Sequence, residues 1–512
     1  MPIGAHPMDS ILPFQLPLRQ QLPQVQGNLD YREFRQTLER IAELIRLTGI
    51  DSMVVLFLLE RADREARKRE GKRYKGLSSR QQRWIQKMGR QALRCGIARS
   101  LVDASYRQFA CRLADSPLLQ RFCLVDTLEP IRVFSKSTLE RFEKMLPEGV
   151  VRDLLSRVVL QAAGGSKGSK GGEPLGLATP IDMDVYFVDS TCLKANIHFP
   201  VDWVLLRDAT RALMKAVRLI RRHGLRHRMQ EPAHFIRAMN RLCIQMTHAG
   251  RGGDSSTGRK RVFRLIKQLM KKVRRHAQIH RRLLEDRREE TTLSEKEAAQ
   301  ILRRLDGVLE RLPEAMRQAH ERIIGERSVK NADKILSLYE RDLHVIVRGK
   351  AGASVEFGNT LLIAEQSQGL IVDWQLYRDQ SPREALALVE SLERAEAAYG
   401  GRRAKSVVTD RGFSSAESRA YLAAHHIRDE MCPRSVPELK RRMKAAQFRD
   451  HQLRRGQTEG RIGILKNQFL GKPLRSKGYG FRALSVGWAV LAHNLWVLAR
   501  LPQAAEEQEQ IA

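Results

Sequence analysis

"DVYFVDS", residues 184–190, is a run of β-branched and aromatic residues that closes on an aspartate and a serine. Upstream of it the apolar residues recur at helical spacing, and from here strands enter, so this stretch decides that the chain is not all-helical. A strand stopping at Asp189 is expected. Further on, "VEFGNTLLIAEQ" (355–366) and "LIVDWQLY" (370–377) flank "SQG" as a hairpin, "KSVVTD" (405–410) reads as a strand ending at Asp410, and "IRDEMC" (427–432) as another. Ser381 with Pro382 and Glu384 reads as a capping box opening a helix at 382–398, and Ser414 with Glu417 as the cap of "AESRAYLAAHH" (416–426). The result is an α/β layer with an aspartate at the end of each of two strands, and open α/β sheets bind ligands at the carboxyl ends of their strands.

Working outward, Tyr31 to about Val159 carries helical periodicity throughout, as in "FRQTLERIAELIRLTGI" (34–50), which predicts an all-α N-terminal domain over 1–161. Its basic middle, "RYKGLSSRQQRWIQKMGRQALR" (73–94), is either a helix pair that touches DNA or a solvated basic helix. "AAGGSKGSKGGEPLG" (162–176) has nothing to bury and reads as a flexible linker. The α/β domain is expected over 177–200 and 345–512, interrupted by a helical insertion at 201–344. That insertion breaks only near "HAGRGGDSSTGRK" (248–260), and heptad-like spacing in "LRRLDGVLERLPEAM" (302–316) predicts antiparallel helices packed on each other.

Charge narrows the partner. Lys and Arg total 91 against 58 Asp and Glu, a formal net charge of +33, which favours a polyanion over an acidic small molecule. The stretch from Val201 to His280 has 20 basic and 4 acidic residues, hence +16, while 281–344 has 14 of each. The basic part of the insertion is therefore expected to contact DNA, the alternative being an amphipathic bundle with incidental charge. Six cysteines without C-x-x-C or Cys/His ligand spacing indicate neither a zinc ribbon nor a disulfide framework and fit a reducing cytoplasm. The N-terminus lacks a signal-peptide pattern, and the apolar run 483–499 is interrupted by His493 and Asn494, so a buried helix is expected there and no membrane partner. No G-K-[ST] follows the Gly-rich segment, so no nucleotide cofactor is expected.

Near the C-terminus, "HQLRRGQTEGRIGILKN" (451–467) sets one carboxylate among many cations. On a helix with Gln452 at zero, Arg455, Glu459 and Lys466 fall at about 300°, 340° and 320°, one stripe, with Ile462, Leu465 and Phe469 beside it at about 220° to 280°. Gly456, Gly460 and Gly463 fall on the opposite flank, where a missing side chain admits a close backbone or a sugar-phosphate strand. An i, i+4 salt bridge explains Glu459 alone, and a strand-end turn explains either aspartate alone.

"VYFVDST" (185–191), "VVTDRGF" (407–413) and "RRGQTEGRIGILKN" (454–467) together resemble the three catalytic segments of DDE transposases from bacterial insertion sequences. One branch of that family carries Tyr-x2-Arg-x3-Glu-x6-Lys; here Gln452, Arg455, Glu459 and Lys466 stand at those spacings, with glutamine in place of tyrosine. "AVLAHNLWVL" (489–498) and, more loosely, "LADSPLLQRF" (113–122) extend the likeness. The large insertion follows the first strand, whereas many relatives carry theirs between the second aspartate and the glutamate.

The resemblance implies a ribonuclease-H-like mixed sheet flanked by helices, with Asp189, Asp410 and Glu459 as catalytic residues sharing two Mg²⁺ or Mn²⁺ ions, hard cations that take carboxylate oxygens. Arg455, Lys466, Arg461 and Arg411 would bind DNA phosphates. The implied function is metal-dependent cleavage of insertion-sequence ends to 3′-hydroxyls and their transfer into target DNA. Double-stranded DNA, as terminal inverted repeats and target, is then the partner, with a homodimer or larger assembly on DNA, in a bacterial cytoplasm beside the nucleoid. Two alternatives stay open: a metal-dependent endonuclease or resolvase of the same fold that does not join, and a non-catalytic basic DNA-binding protein.

Overall fold

The computed structural model describes residues 21–126, 130–165, 175–249, 255–350, 353–471 and 474–504. It is mixed α/β. The strands are β1 (Val185–Lys194), β2 (His344–Lys350), β3 (Ala353–Gln366), β4 (Ile371–Leu376), β5 (Ser406–Thr409) and β6 (Arg428–Asp429), joined in one six-stranded sheet. β1 lies at its centre. On one side β3 pairs antiparallel with it, from Tyr186↔Gln366 to Lys194↔Gly358; on the other β5 pairs parallel, from Val185↔Ser406 to Val188↔Thr409. β6 extends the parallel side, while β2 and β4 lie end to end along the outer edge of β3.

The helices are α1 (Leu29–Thr48), α2 (Ile50–Glu70), α3 (Ser79–Leu101), α4 (Tyr106–Asp115), α5 (Pro117–Phe122), α6 (Lys136–Met145), α7 (Glu148–Ala162), α8 (Asp202–Arg222), α9 (Pro232–His248), α10 (Ser255–Asp286), α11 (Glu295–Ile323), α12 (Glu384–Ala398), α13 (Ala416–Ala424), α14 (Val436–Arg442), α15 (Ala446–Ile464) and α16 (Tyr479–Leu498). Side-chain caps explain several of their starts: Ser78 with Gln81 and Ser105 with Gln108 form reciprocal capping boxes on α3 and α4.

Among the described residues, 29–162 is helical with no strand, but its apolar core is continuous with that of the sheet. α3 shows why. From Ile85 to Ser100 it is mostly buried, Arg90 and Arg94 included, and at Gly96 an added Cβ would lie 2.6 Å from the ring of Trp488 on α16. The basic run 73–94 therefore leads into a core helix, exposed mainly as far as Trp84. α16 is long and apolar enough to cross a membrane by length and composition, yet 89% of that window is buried inside the protein. His493 on it is fully buried, and burial pushes its pKa down to about 4, so it packs as a neutral ring. Its neighbour Asn494 bonds both the N–H and the C=O of Ile371 (3.0 and 2.8 Å), satisfying the free edge of β4.

The insertion has a core of its own. Buried positions on α10 run Phe263, Ile266, Met270, Val273, Ala277, His280, Leu284, and on α11 Ala298, Ile301, Leu305, Val308, Leu312, Ala315, Ala319, alternating steps of three and four that suit helices packed side by side. α8 packs against α9, α10 and α11. Most of the linker expected at 162–176 (166–174) and residues 250–254 of the break expected near 248–260 lie outside the described residues, while 255–260 already belong to α10.

Several expected boundaries move. β1 continues five residues past Asp189, because β3 goes on pairing with it to Lys194 after β5 has ended. α12 starts at Glu384 with Arg383 as an extended N-cap lacking a side-chain bond, so Ser381 and Pro382 precede the helix, whose burial begins at Ala385. Ser415, not Ser414, caps α13; Ser414 is buried and accepts from Arg419. Along the strand expected at 427–432 the ladder couples are at Arg428 and Asp429, and bonding to β5 runs on through the Glu430 and Cys432 N–H groups to the Val407 and Thr409 carbonyls (both 3.0 Å); β2 lies where no strand is expected.

The hairpin turn between β3 and β4 depends on one glycine. Gly369 has φ +90°, and a Cβ there would collide with the Arg461 guanidinium on α15. Gly369→Ala is expected to destabilise the fold by about 2 kcal/mol or more, combining left-handed backbone strain with that overlap; a urea titration reads it directly.

Candidate functional site

The last couple in the parallel pairing is Val188↔Thr409, so Asp189 and Asp410 are the next residues on two adjacent strands, in register where β5 stops. Side chains alternate along a strand, which places Asp189 with Phe187 and Thr191 on the face opposite Val188. α15 covers that face. Arg454 lies 4.6 Å over the Phe187 ring, His451 meets the same ring edge-on, and Lys466, just beyond α15, donates to Thr191 Oγ1 (3.0 Å) and to the Cys192 carbonyl (2.8 Å). The other face carries Val188, Ala364 and Asp373, where Asp373 receives Ser391 and Arg394 from α12.

α15 is one uninterrupted helix through Gly456, Gly460 and Gly463, despite a cost of roughly 1 kcal/mol per glycine. A Cβ on any of the three would meet nothing within 4 Å, so that flank of the helix is open to approach. Leu465–Phe469 then continues as a π-helical turn, a wider turn common at functional sites, and Lys466 sits in it.

Electrostatics ties the three acids together. Asp189 is pushed up to about 6, first by burial and then by the negative charges of Asp410 and Glu459, against the lowering effects of the Ser190 N–H (2.7 Å) and Arg455. Residues 189, 410 and 459 thus share one electrostatic neighbourhood. Asp410 also accepts the Gly412 N–H (2.9 Å), a turn that leaves the adjacent Arg411 exposed. Glu459 is 66% exposed, its Oε1 3.9 Å from Arg455 Nη1.

Among the described residues no three His, Cys, Asp or Glu side chains stand as a ready metal cage. The donor chemistry does fit a hard divalent cation: three carboxylates whose mutual repulsion a cation would relieve, one of them on an exposed side chain free to turn. Of the four cations expected at phosphates, Arg411 is exposed and Arg455 faces the acids. Lys466 is anchored on β1. Arg461 turns away to Glu365, which it approaches at 3.2 Å.

Glu365 was not singled out from sequence. Its side chain is 1% exposed, on β3 opposite Phe187; its Oε1 accepts from Arg454 (2.9 Å) and Thr458 (2.7 Å), and its Oε2 stands in an ion pair with Arg461 at a distance without hydrogen-bond alignment, all three partners coming from α15. An acid inside the apolar run "LLIAEQ" was the available signal, since buried carboxylates need partners. Gln452 donates to the Glu430 carbonyl (2.7 Å). Comparison of the chain with family models, with curated proteins and with solved structures returns no match.

The raised Asp189 makes a stability prediction. Its folded pKa exceeds the unfolded value near 4, so as pH rises from 4 to 6 the folded chain holds a proton that the unfolded chain has released, and stability falls across that window. Asp189→Asn, which cannot ionise, is expected to be more stable than the wild type by about 1–2 kcal/mol at pH 7.5 and no more stable at pH 4. Chemical unfolding at the two pH values in the presence of EDTA checks the sign.

Proposed function

We propose that the chain is a DNA transposase that uses Asp189, Asp410 and Glu459 to cut a DNA strand and join the resulting 3′-hydroxyl to another. What carries the reading is that three acids separated by 221 and 49 residues along the chain, each in a segment resembling a DDE catalytic motif, come together so that Asp410 and Glu459 both bear electrostatically on Asp189 at the end of β5. The strand order β4-β3-β1-β5-β6, antiparallel in its first three members and parallel in its last two, supports a ribonuclease-H-like identity for the sheet.

Asp189, Asp410 and Glu459 would hold a pair of Mg²⁺ or Mn²⁺ ions, which when bound supply charge stabilisation and activation for phosphodiester chemistry. The chain's own groups do the rest. Arg455 balances the acids and offers a planar fork to a phosphate, while exposed Arg411 reaches the same end of the sheet. The bare glycine flank of α15 lets a sugar-phosphate strand lie close to Glu459. Water as nucleophile cleaves; a 3′-hydroxyl in the same place joins. Bringing two element ends together calls for two copies of the chain.

The insertion supplies a second contact. Arg211, Lys215, Arg218 and Arg222 recur at steps of four, three and four on α8, all exposed and none in an ion pair with another described residue. They form one stripe roughly 16 Å long. Arg261, Arg264, Lys271 and Arg275 repeat the device on α10. Such stripes fit a phosphate backbone and hold eight of the 20 basic residues of 201–280.

Two outcomes test this. Asp189→Ala, Asp410→Ala and Glu459→Ala should each bind element-end DNA as the wild type does yet lose Mg²⁺-dependent nicking by a factor of 10³ or more, on the order of 4 kcal/mol of barrier. Normal nicking by any of them rejects the assignment, and a plasmid assay with pre-cleaved 3′-hydroxyl ends tells joining from cleavage alone. Replacing Arg211, Lys215, Arg218 and Arg222 with glutamine should lower the slope of log affinity against log salt by about three to four, as read by fluorescence anisotropy at several salt concentrations.

A further inference from the structure

We infer that Glu365 is a positioning residue for the catalytic helix: it fixes the rotation of α15 about its own axis and so sets where the Glu459 carboxylate falls relative to Asp189. The inference rests on the transposase reading above. Three facts carry it.

First, the partners of Glu365 come from one face of α15. Arg454, Thr458 and Arg461 are spaced i, i+4, i+7, so they project together, and all three engage the same carboxylate. Arg454 also donates to the carbonyls of Gln366 and Ser367 and lies over Phe187, so its guanidinium is held from several directions. Second, Glu365 is placed to hold that face over the acids. It pairs across β1 with Phe187, two residues and one pleat from Asp189, on the sheet face that α15 covers. Third, Gly369 leaves room for Arg461 beneath the hairpin turn, so the turn and the clamp are built together.

The consequence is a lever. Arg455, Glu459 and Lys466 lie about 110° around the helix from the clamped face. A carboxylate some 6 Å from the helix axis moves about 2 Å for a 20° rotation, while Mg²⁺ tolerates little departure from octahedral ligands at about 2.0–2.1 Å. Glu459 is itself exposed and held only loosely by Arg455, so the precision must come from the buried side of the helix. Glu365 touches neither DNA nor metal in this account and acts through α15.

The test is the Mg²⁺ concentration giving half-maximal nicking, which a merely structural role would not move. Glu365→Gln, checked for a native circular dichroism spectrum, should raise it about tenfold or more, with affinity for end DNA in EDTA unchanged and partial rescue by Mn²⁺, the less geometrically demanding ion. Thr458→Val removes only one hydroxyl contact and covers the case in which Glu365→Gln does not fold; about a threefold rise is expected. A folded variant with wild-type metal dependence overturns the positioning role while leaving the nuclease reading intact. Wild-type protein that nicks at no Mg²⁺ or Mn²⁺ concentration overturns the nuclease reading, and this inference falls with it.

Discussion

The parallel pairing of β1 with β5 is the constraint on which the rest of the structure depends. It ends at Val188↔Thr409, and in ending there it leaves Asp189 and Asp410 side by side with burial behind them. Two carboxylates so placed repel, and a third, Glu459, adds to the same field. The folded chain keeps this cost because the surrounding packing over-determines it: β3 pairs with β1 along nine residue couples and does not let the strand relax away from its neighbour. Arg455 and the Ser190 N–H offset part of that negative charge and burial keeps the rest costly, which is why Asp189 is pushed up to about 6.

The positive charge of the chain is distributed by a different logic. Where arginines enter the core, each has a job with a named partner: Arg454 and Arg461 at Glu365, Arg394 at Asp373, Arg482 at Asn359 and Glu340. Buried charges survive only in such company. On the outer faces of α8 and α10, Arg211, Lys215, Arg218 and Arg222, and Arg261, Arg264, Lys271 and Arg275, stand in rows without an ion pair to another described residue, while Arg207, Arg221, Lys260 and Arg281 on the same helices are paired. The 91 basic residues therefore divide into those paired inside the fold, which add nothing to the net charge, and those on the surface, which carry the +33 excess.

The long separation of β1 from β3 by the insertion costs little. A flexible loop's closure entropy grows only with the logarithm of its length, and this one folds on its own heptad core of α8, α10 and α11. The sheet can thus accept a bundle of about 140 residues between its first strand and its hairpin while keeping the register that juxtaposes the acids. The N-terminal helices behave otherwise, sharing one core with the sheet through contacts such as Gly96 with Trp488.

The sequence by itself determined most of the elements and their order, β2 excepted: period-two runs for the hairpin and β5, period-3.6 runs for the helices, a heptad in the insertion, and the placing of Arg455 and Glu459 on one helix. These are local signals, set by where side chains point along a strand or helix, and they are written in adjacent residues. Tertiary structure decided what depends on partners far along the chain. That β1 runs to Lys194 follows from β3, that Ser415 rather than Ser414 caps α13 follows from Arg419 occupying Ser414, and that Arg461 faces inward follows from Glu365. A lone arginine in a basic helix reads the same whether it meets solvent, phosphate or a buried glutamate 96 residues earlier. Only the fold brings that glutamate to it, because the energy of a buried charge lies in its neighbours and not in its own position in the chain.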